Sequence, residues 1–382
     1  FSRINYNYQS KYLLELIGRY DGSYKFPKGE RFGFFPAVSL GWRISEEEFF
    51  KNNVGFFDEL KVRASWGQTG NDRVDPYQFL ASYGFGGGYV LGGGTEVSSI
   101  YQTRTPNPAI TWEVANQFDV GLEGTILDNR LSFVVDYFNQ LRTDILTQRN
   151  ASIPKSSGLS LPEENIGEVS SYGVDGSITW THNVSKDLIY DISLNLGWAT
   201  NEINYWDEPP GAPEWQRSTG SKMNTELFYI ADGIFNDKDE VESRPHWEGA
   251  RPGDVIFKDI DGDGKITAND RVRVDRNNIP EWTGGVTLSS RYKQFDLSIF
   301  FQGAAGASQY VRTESGAFGN YFAEFARKRW TPDTPNAEGP RAFNRTEEYW
   351  IANQNTYFFR KTDYIRLKTL EIGYNLPPSI TT

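Results

Sequence analysis

The stretch with the most specific chemistry is Asp259-Ile-Asp-Gly-Asp-Gly-Lys-Ile-Thr-Ala-Asn-Asp270. Asp259, Asp261 and Asp263 stand at the first, third and fifth places of a loop, Gly264 at the sixth, and the backbone carbonyl of Lys265 at the seventh. Asp270 closes it at the twelfth. Hard Ca²⁺ takes roughly six to eight oxygens around one point, and a glycine at the turn lets a short chain converge them. The spacing therefore predicts an EF-hand-like calcium loop with ligands from Asp259, Asp261, Asp263, Lys265 and Asp270. Asp270 replaces the usual bidentate Glu, which predicts a weaker or rearranged site. No paired helices flank it, so the expected role is structural, a staple for the long loop around it. A solvated acidic turn is the alternative.

Other chemistry is sparse. Histidine occurs only at His182 and His246 and cysteine is absent, which leaves no thiol nucleophile, disulfide framework or thiolate metal site. Asp119, Glu123, Asp136, Asp175, Asp191 and Asp296 are spread along the chain. Glycosidase chemistry needs two carboxyls about 5–10 Å apart in one cleft, and no spacing here specifies that. Gly86-Gly-Gly88 and Gly92-Gly-Gly-Thr95 lack the lysine and helix of a phosphate loop. No catalytic residue is assigned, and an enzyme is not expected. Tyr77, Tyr83, Tyr89, Trp206, Trp215 and Trp247 lie in expected loops, where flat rings could stack on sugar faces. Packing of the loop, or contact with a protein partner, is the alternative.

The elements that would position these residues are strands. From Tyr190 the chain alternates: Tyr190, Ile192, Leu194, Leu196 and Trp198 on one face, Asp191, Ser193, Asn195, Gly197 and Ala199 on the other. An apolar face bounded by Tyr and Trp suits a strand between lipid and a wet lumen. The pattern recurs at Phe34–Trp42, Leu60–Trp66, Phe118–Leu122, Leu131–Tyr137, Tyr172–Trp180 and Phe295–Phe301. Ser45 to Glu48 has the spacing of a capping box, which predicts a short helix at Ser45–Phe50. Gln68–Ile110, Gln148–Glu164, Asn201–Pro280 and Gly303–Arg360 read as long polar loops. Short turns are expected at Gln9-Ser10-Lys11, Leu127-Asp-Asn129, Ser185-Lys-Asp187 and Lys293-Gln294. The result is all-β, with about eleven strands whose connections alternate short and long, as in a transmembrane antiparallel barrel. Strand order puts the long loops on one rim, the extracellular one, and the Ser45–Asp58 segment on the other.

Composition agrees. There are 21 Tyr, 26 Phe, 11 Trp and 37 Gly in 382 residues, which favours strands over helical bundles. Mean hydropathy is -0.56, and no run approaches the roughly 20 consecutive apolar residues of a membrane helix, which excludes a helical span. It does not exclude a barrel. The net charge of -11, with no basic run, argues against nucleic acid. Phe1–Tyr8 already reads as a strand, and Leu376–Thr382 as a turn awaiting another, so a piece of a longer protein is expected.

Several motifs then resemble one family in order and spacing: Arg19-Tyr-Asp-Gly-Ser23, Phe35-Pro-Ala-Val-Ser-Leu-Gly-Trp-Arg43 and Leu60-Lys-Val-Arg-Ala-Ser-Trp-Gly-Gln-Thr-Gly-Asn71. Trp112-Glu-Val-Ala-Asn116, Asp136-Tyr-Phe-Asn139, Asn165-Ile-Gly167, Gly253–Gly264 and Arg366–Tyr374 continue the series. Together they resemble the barrel of SusC/RagA-type TonB-dependent receptors. That resemblance implies about half the strands of a barrel of about 22 strands, with the plug domain, TonB box and final strands outside this sequence. It further implies import of oligosaccharides, or peptides, across the outer membrane of Bacteroidetes. The implied partners are a SusD-like surface lipoprotein lid, TonB acting through the plug, and outer-membrane lipid. A dimer of receptor–lipoprotein pairs is also implied. The rival readings are a passive porin-like channel and a secreted β-rich glycan-binding or glycan-cleaving protein.

Overall fold

A computed structural model describes residues 1–149, 162–312, 321–342 and 349–376. Most of the loop expected after Gln148, and the turn expected beyond Leu376, lie outside the described residues. The chain divides into two compact units. Phe1–Pro210, Glu281–Gly303 and Ile365–Thr382 form the first; Gly211–Pro280 and Ala304–Tyr364 form the second.

The first unit is an eleven-stranded sheet in which neighbours follow chain order. Its strands are β1 (Ser2–Tyr8), β2 (Tyr12–Gly22), β3 (Phe32–Arg43), β4 (Phe57–Asn71), β5 (Glu113–Ile126) and β6 (Leu131–Gln148). They continue as β7 (Glu163–Asn183), β8 (Leu188–Tyr205), β9 (Trp282–Tyr292), β10 (Phe295–Ala305) and β11 (Tyr364–Tyr374). From β1 to β9 each pairs antiparallel with the next. The tight turns hold backbone in the left-handed region that matches strand twist: Gln9 and Ser10 at φ 52 and 56, Asp128 and Asn129 at 57 and 59, Lys293 at 51. Pro36, an awkward residue for a strand, sits opposite Gly18 of β2, while pairing with β4 begins one residue later at Ala37.

Three expectations need correcting. The capping-box helix at Ser45–Phe50 is not formed. Ile44–Glu46 makes one 3-10 turn, Glu48–Asn53 the helix, and no side chain caps either. Glu47 between them is extended because its carboxylate is drawn away to Tyr12, Trp42 and Lys11. The segment Gln68–Ile110 is not simply a loop. β4 runs on to Asn71, and Ser82–Leu91 pairs with Thr95–Arg104 as a separate hairpin. Gly84 and Gly86 are part of that hairpin's packing, with the Tyr101 ring only 3.4 and 3.1 Å from where a Cβ would stand. Finally, β6, β7 and β8 reach 18, 21 and 18 residues, longer than the alternation suggested.

The second unit gathers two stretches that read as independent loops. Short pairs join Leu227–Tyr229 to Arg271–Arg273, Ala231–Ile234 to Val255–Phe257, and Ser308–Tyr310 to Phe359–Lys361. Its core holds Tyr229, Phe235, Val255, Phe257, Trp350, Ile351 and Phe358, all within 2 % of full burial. Asp254, 1 % exposed, accepts from Arg341 Nε at 2.7 Å and Trp350 Nε1 at 3.0 Å. Those two bonds tie the earlier stretch to the later one.

Candidate functional site

The wall formed by the sheet has two unlike faces. Register places Leu14, Leu40, Ala64, Val120, Tyr137, Val174, Trp198 and Trp282 in one row across β2 to β9. Leu40, Val120, Tyr137, Val174 and Trp282 are exposed there. Aromatic rings collect at both ends of this apolar face. Trp198 contacts both Tyr172 and Trp282 towards the long-loop rim. Tyr8 and Tyr12, and the trio Trp180, His182 and Tyr190, lie towards the short-turn rim. From Tyr190 to Trp198 is eight residues, about 26 Å of strand, which suits the apolar band of an outer-membrane barrel.

The opposite face carries the charges, and much of the charge is matched across strands. Lys61 Nζ lies 2.6 Å from Glu123, and Arg63 bonds Asp136 at 2.6 Å while reaching Glu123 at 3.8 Å. Asp296 accepts from Asn375 at 2.6 Å, and Arg366 and Lys368 both donate to Gln302. Of the six scattered carboxylates singled out from the sequence, Glu123, Asp136 and Asp296 thus have cationic or amide neighbours, and Asp136 also stands opposite Asp175 in the register.

Towards the long-loop rim, the recurring motifs interlock. Phe35 is buried at 4 % because Gly33 and Gly70 have no side chains; a Cβ on Gly70 would overlap its ring. Trp112 packs on Phe35 and Phe26 at 5.4 and 5.3 Å. Glu113 accepts from Asn71 Nδ2 at 2.6 Å and from the Leu146 amide at 3.2 Å. Asn165 accepts from the Thr111 amide and donates to the carbonyls of Thr111 and Asp144. Gly167 leaves room for the edge of Trp206. Alternation cannot reveal such contacts, since they join different strands and the connections beside them; the motifs were their signal.

In the acidic loop, Asp259, Asp261 and Asp263 bring one carboxylate oxygen each within 4.8 Å of the others. Asp259 Oδ1 and Oδ2 accept from the amides of Gly262 and Gly264 at 2.7 and 2.9 Å, and Asp263 Oδ1 accepts from the Lys265 amide at 2.8 Å. Desolvation raises the Asp259 carboxyl, but the amides of Gly264, Gly262 and Asp263 outweigh it and hold its pKa below the ordinary range. Asp270 stands apart from this trio. It is fully buried, with Oδ1 accepting from Ile260 at 2.8 Å and Oδ2 from Thr267 at 2.6 Å. In this arrangement the twelfth residue clamps the loop closed through its backbone.

The six loop aromatics are divided between the two units. Tyr83 and Tyr89 are 67 % and 72 % exposed on the separate hairpin; Tyr77, half exposed, touches Tyr24 and Phe79. Trp206 packs at Gly167. Trp215 and Trp247 belong to the second unit. Trp215 donates to the Asn269 carbonyl at 2.8 Å and so braces the acidic loop. Trp247 corrects the expectation of an open sugar platform: it is 5 % exposed, stacked on Tyr349 and packed on Phe257.

Comparison with known proteins agrees with this geometry. The family model for the β-barrel of TonB dependent receptor-like proteins matches residues 1–381. TonB-dependent receptor P3 of Formosa agariphila is 31 % identical over 99 % of this chain, which covers 38 % of that protein. TonB-dependent receptor SusC of Bacteroides thetaiotaomicron is 26 % identical over 98 % of the chain and 37 % of its own length. The chain thus spans under two-fifths of the length of these two relatives. Among solved structures, the RagAB peptide importer in its open-open state matches all of the chain and 40 % of its own, with a TM-score of 0.78 at 22 % identity. An apolar belt between aromatic rims, a charged inner face and a family match from end to end lead to one conclusion: the chain belongs to the TonB-dependent receptor β-barrel family, of SusC/RagA type, and is outer-membrane barrel wall.

Proposed function

We propose that this chain is the barrel portion of a nutrient importer that moves an oligosaccharide, or a peptide, across the outer membrane. The observation that carries the reading is the two-faced wall: an apolar outer belt and an inner face of cross-strand ion pairs, the lining of a wide polar lumen. In the mechanism we infer, ligand is captured at the extracellular rim and a SusD-like surface lipoprotein closes over it. TonB then displaces a plug supplied by the rest of the receptor. Similarity to SusC, and to RagAB, which has been solved in open-open and closed-closed states, supports a lidded importer. Pairs of receptor and lipoprotein would associate as dimers. The test is fractionation of cells expressing the tagged full-length receptor, followed by affinity capture. We expect outer-membrane recovery with a surface lipoprotein and TonB-dependent uptake. A partner-free protein whose uptake is indifferent to TonB would point to a passive channel instead.

The same reading includes a structural Ca²⁺ held by Asp259, Asp261 and Asp263, with the Lys265 carbonyl and water completing the oxygen set. Three converging carboxylates support this, and Asp270 would act through the backbone it clamps. The ion's chemistry would be electrostatic only, relieving repulsion among three acids on one short turn.

A further inference from the structure

On the short-turn rim, residues 44–56 form a longer connection than the tight turns around them, and the rings it carries fold back over the outward face. Phe49 of the Glu48–Asn53 helix lies 6.4 Å from Trp42, which ends the outward row of β3. Phe50 lies 6.0 Å from Phe57, and Phe57 lies 6.4 Å from Phe133. Phe57 pairs with Ile126, and Phe133 stands opposite Gly124 and Ile178, all in outward register. Leu60, on that same face of β4, is covered to 9 % exposure, whereas Val135 of the face remains 45 % exposed. The segment is pinned there by Glu47, whose carboxylate accepts from Tyr12 Oη at 2.6 Å, Trp42 Nε1 at 3.2 Å and Lys11 Nζ at 3.2 Å. Phe49 and Phe56 nevertheless stay 57 % exposed.

We propose that this connection is an interfacial foot, with Phe49 and Phe56 seated at the boundary of headgroups and acyl chains in the periplasm-facing leaflet. Its continuity with the lipid-facing belt identifies phospholipid as the occupant. The exposed rings extend the aromatic end of that belt; of the segment's charged groups, Glu46 bonds Lys51 at 2.7 Å and Glu47 holds Lys11, while Glu48 is exposed. Amphipathic aromatic edges with satisfied polar tips are what a bilayer interface selects. A turn facing bulk water has no use for two open phenylalanines beside a lipid-facing tryptophan.

Nitroxide labels on the full-length receptor in phospholipid vesicles test this, with any other cysteines removed. Labels replace Phe49 and Phe56 in separate proteins (Phe49→Cys, Phe56→Cys). Val135→Cys provides the lipid reference, and Asp128→Cys, in an exposed turn, the aqueous one. We expect labels 49 and 56 to collide with oxygen several-fold more often than with a water-soluble nickel chelate, giving a depth between the two references. An Asn52→Cys label on the same helix reads an interfacial depth even if loss of a phenylalanine blocks assembly. Labels that match Asp128, or that are shielded from both reagents as if packed under protein, would overturn the proposal.

Discussion

Gly70 and Phe35 show how single residues of this chain acquire meaning only in pairs. The glycine is empty space reserved for a ring on a neighbouring strand, and Trp112, just ahead of β5, closes over that ring. In the acidic loop the same holds for Asp261 and Asp263, whose carboxylates gather with that of Asp259 within 4.8 Å of one another. If Ca²⁺ binds there, Asp261→Asn combined with Asp263→Asn removes two of the charged oxygens that bind it. Protease cleavage within residues 258–270 of the full-length receptor should then be fast and indifferent to chelator. The unaltered receptor should be cut slowly with calcium and several-fold faster without it. Equal rates for the unaltered receptor with and without chelator would reduce the loop to a solvated turn.

Elements were legible in the sequence wherever one strand faces two solvents. Tyr190–Trp198 alternates because its odd and even residues meet different media, so about eleven strands and their short turns emerged from period alone. In the acidic loop the gathering of Asp259, Asp261 and Asp263 was plain because it is local, whereas Asp270, expected among the ligands, instead accepts from backbone amides. The second unit was not legible, because its bonds join residues far apart in the chain: Tyr229 to Tyr349 across 120 positions, Asp254 to Arg341 across 87. The hairpin at Ser82–Arg104 was hidden by glycines that look like loop residues but make room for Tyr101. Asp254 gives the second unit its own prediction. Asp254→Asn would break the Asp254–Arg341 ion pair in a mostly buried place, a loss of about 3–5 kcal/mol for such pairs. Hydrogen exchange should quicken throughout residues 227–273 and 349–361 while the barrel strands keep their protection. Unchanged exchange in those segments would show the pair to be dispensable.

The whole wall is an arrangement for standing between two media, and adjacent positions should therefore respond oppositely to charge. Val135 points outward in the middle of the apolar belt; Val134 points inward, opposite Glu123. Val135→Arg should cost about 2–4 kcal/mol in the full-length receptor folded into vesicles, as for a cation near the bilayer midplane. Val134→Arg, with Glu123 opposite it, should cost far less. Similar losses at the two sites would argue against lipid on the outward side.

The second unit's split ancestry in the chain also governs how it can be built. Its two stretches are separated by the β9–β10 hairpin, so Gly211–Pro280 emerges with half an aromatic core, Tyr229, Phe235 and Phe257 among it, and without Trp350 or Phe358 to cover it. Completion must wait until the hairpin has been made and the later stretch has followed. Loop-closure entropy is spent before those distant contacts form, so this is a slow step that leaves apolar surface open to proteases and to mispairing. Maturation of the second unit is thereby timed by completion of the β9–β10 stretch that lies between its two halves in the chain.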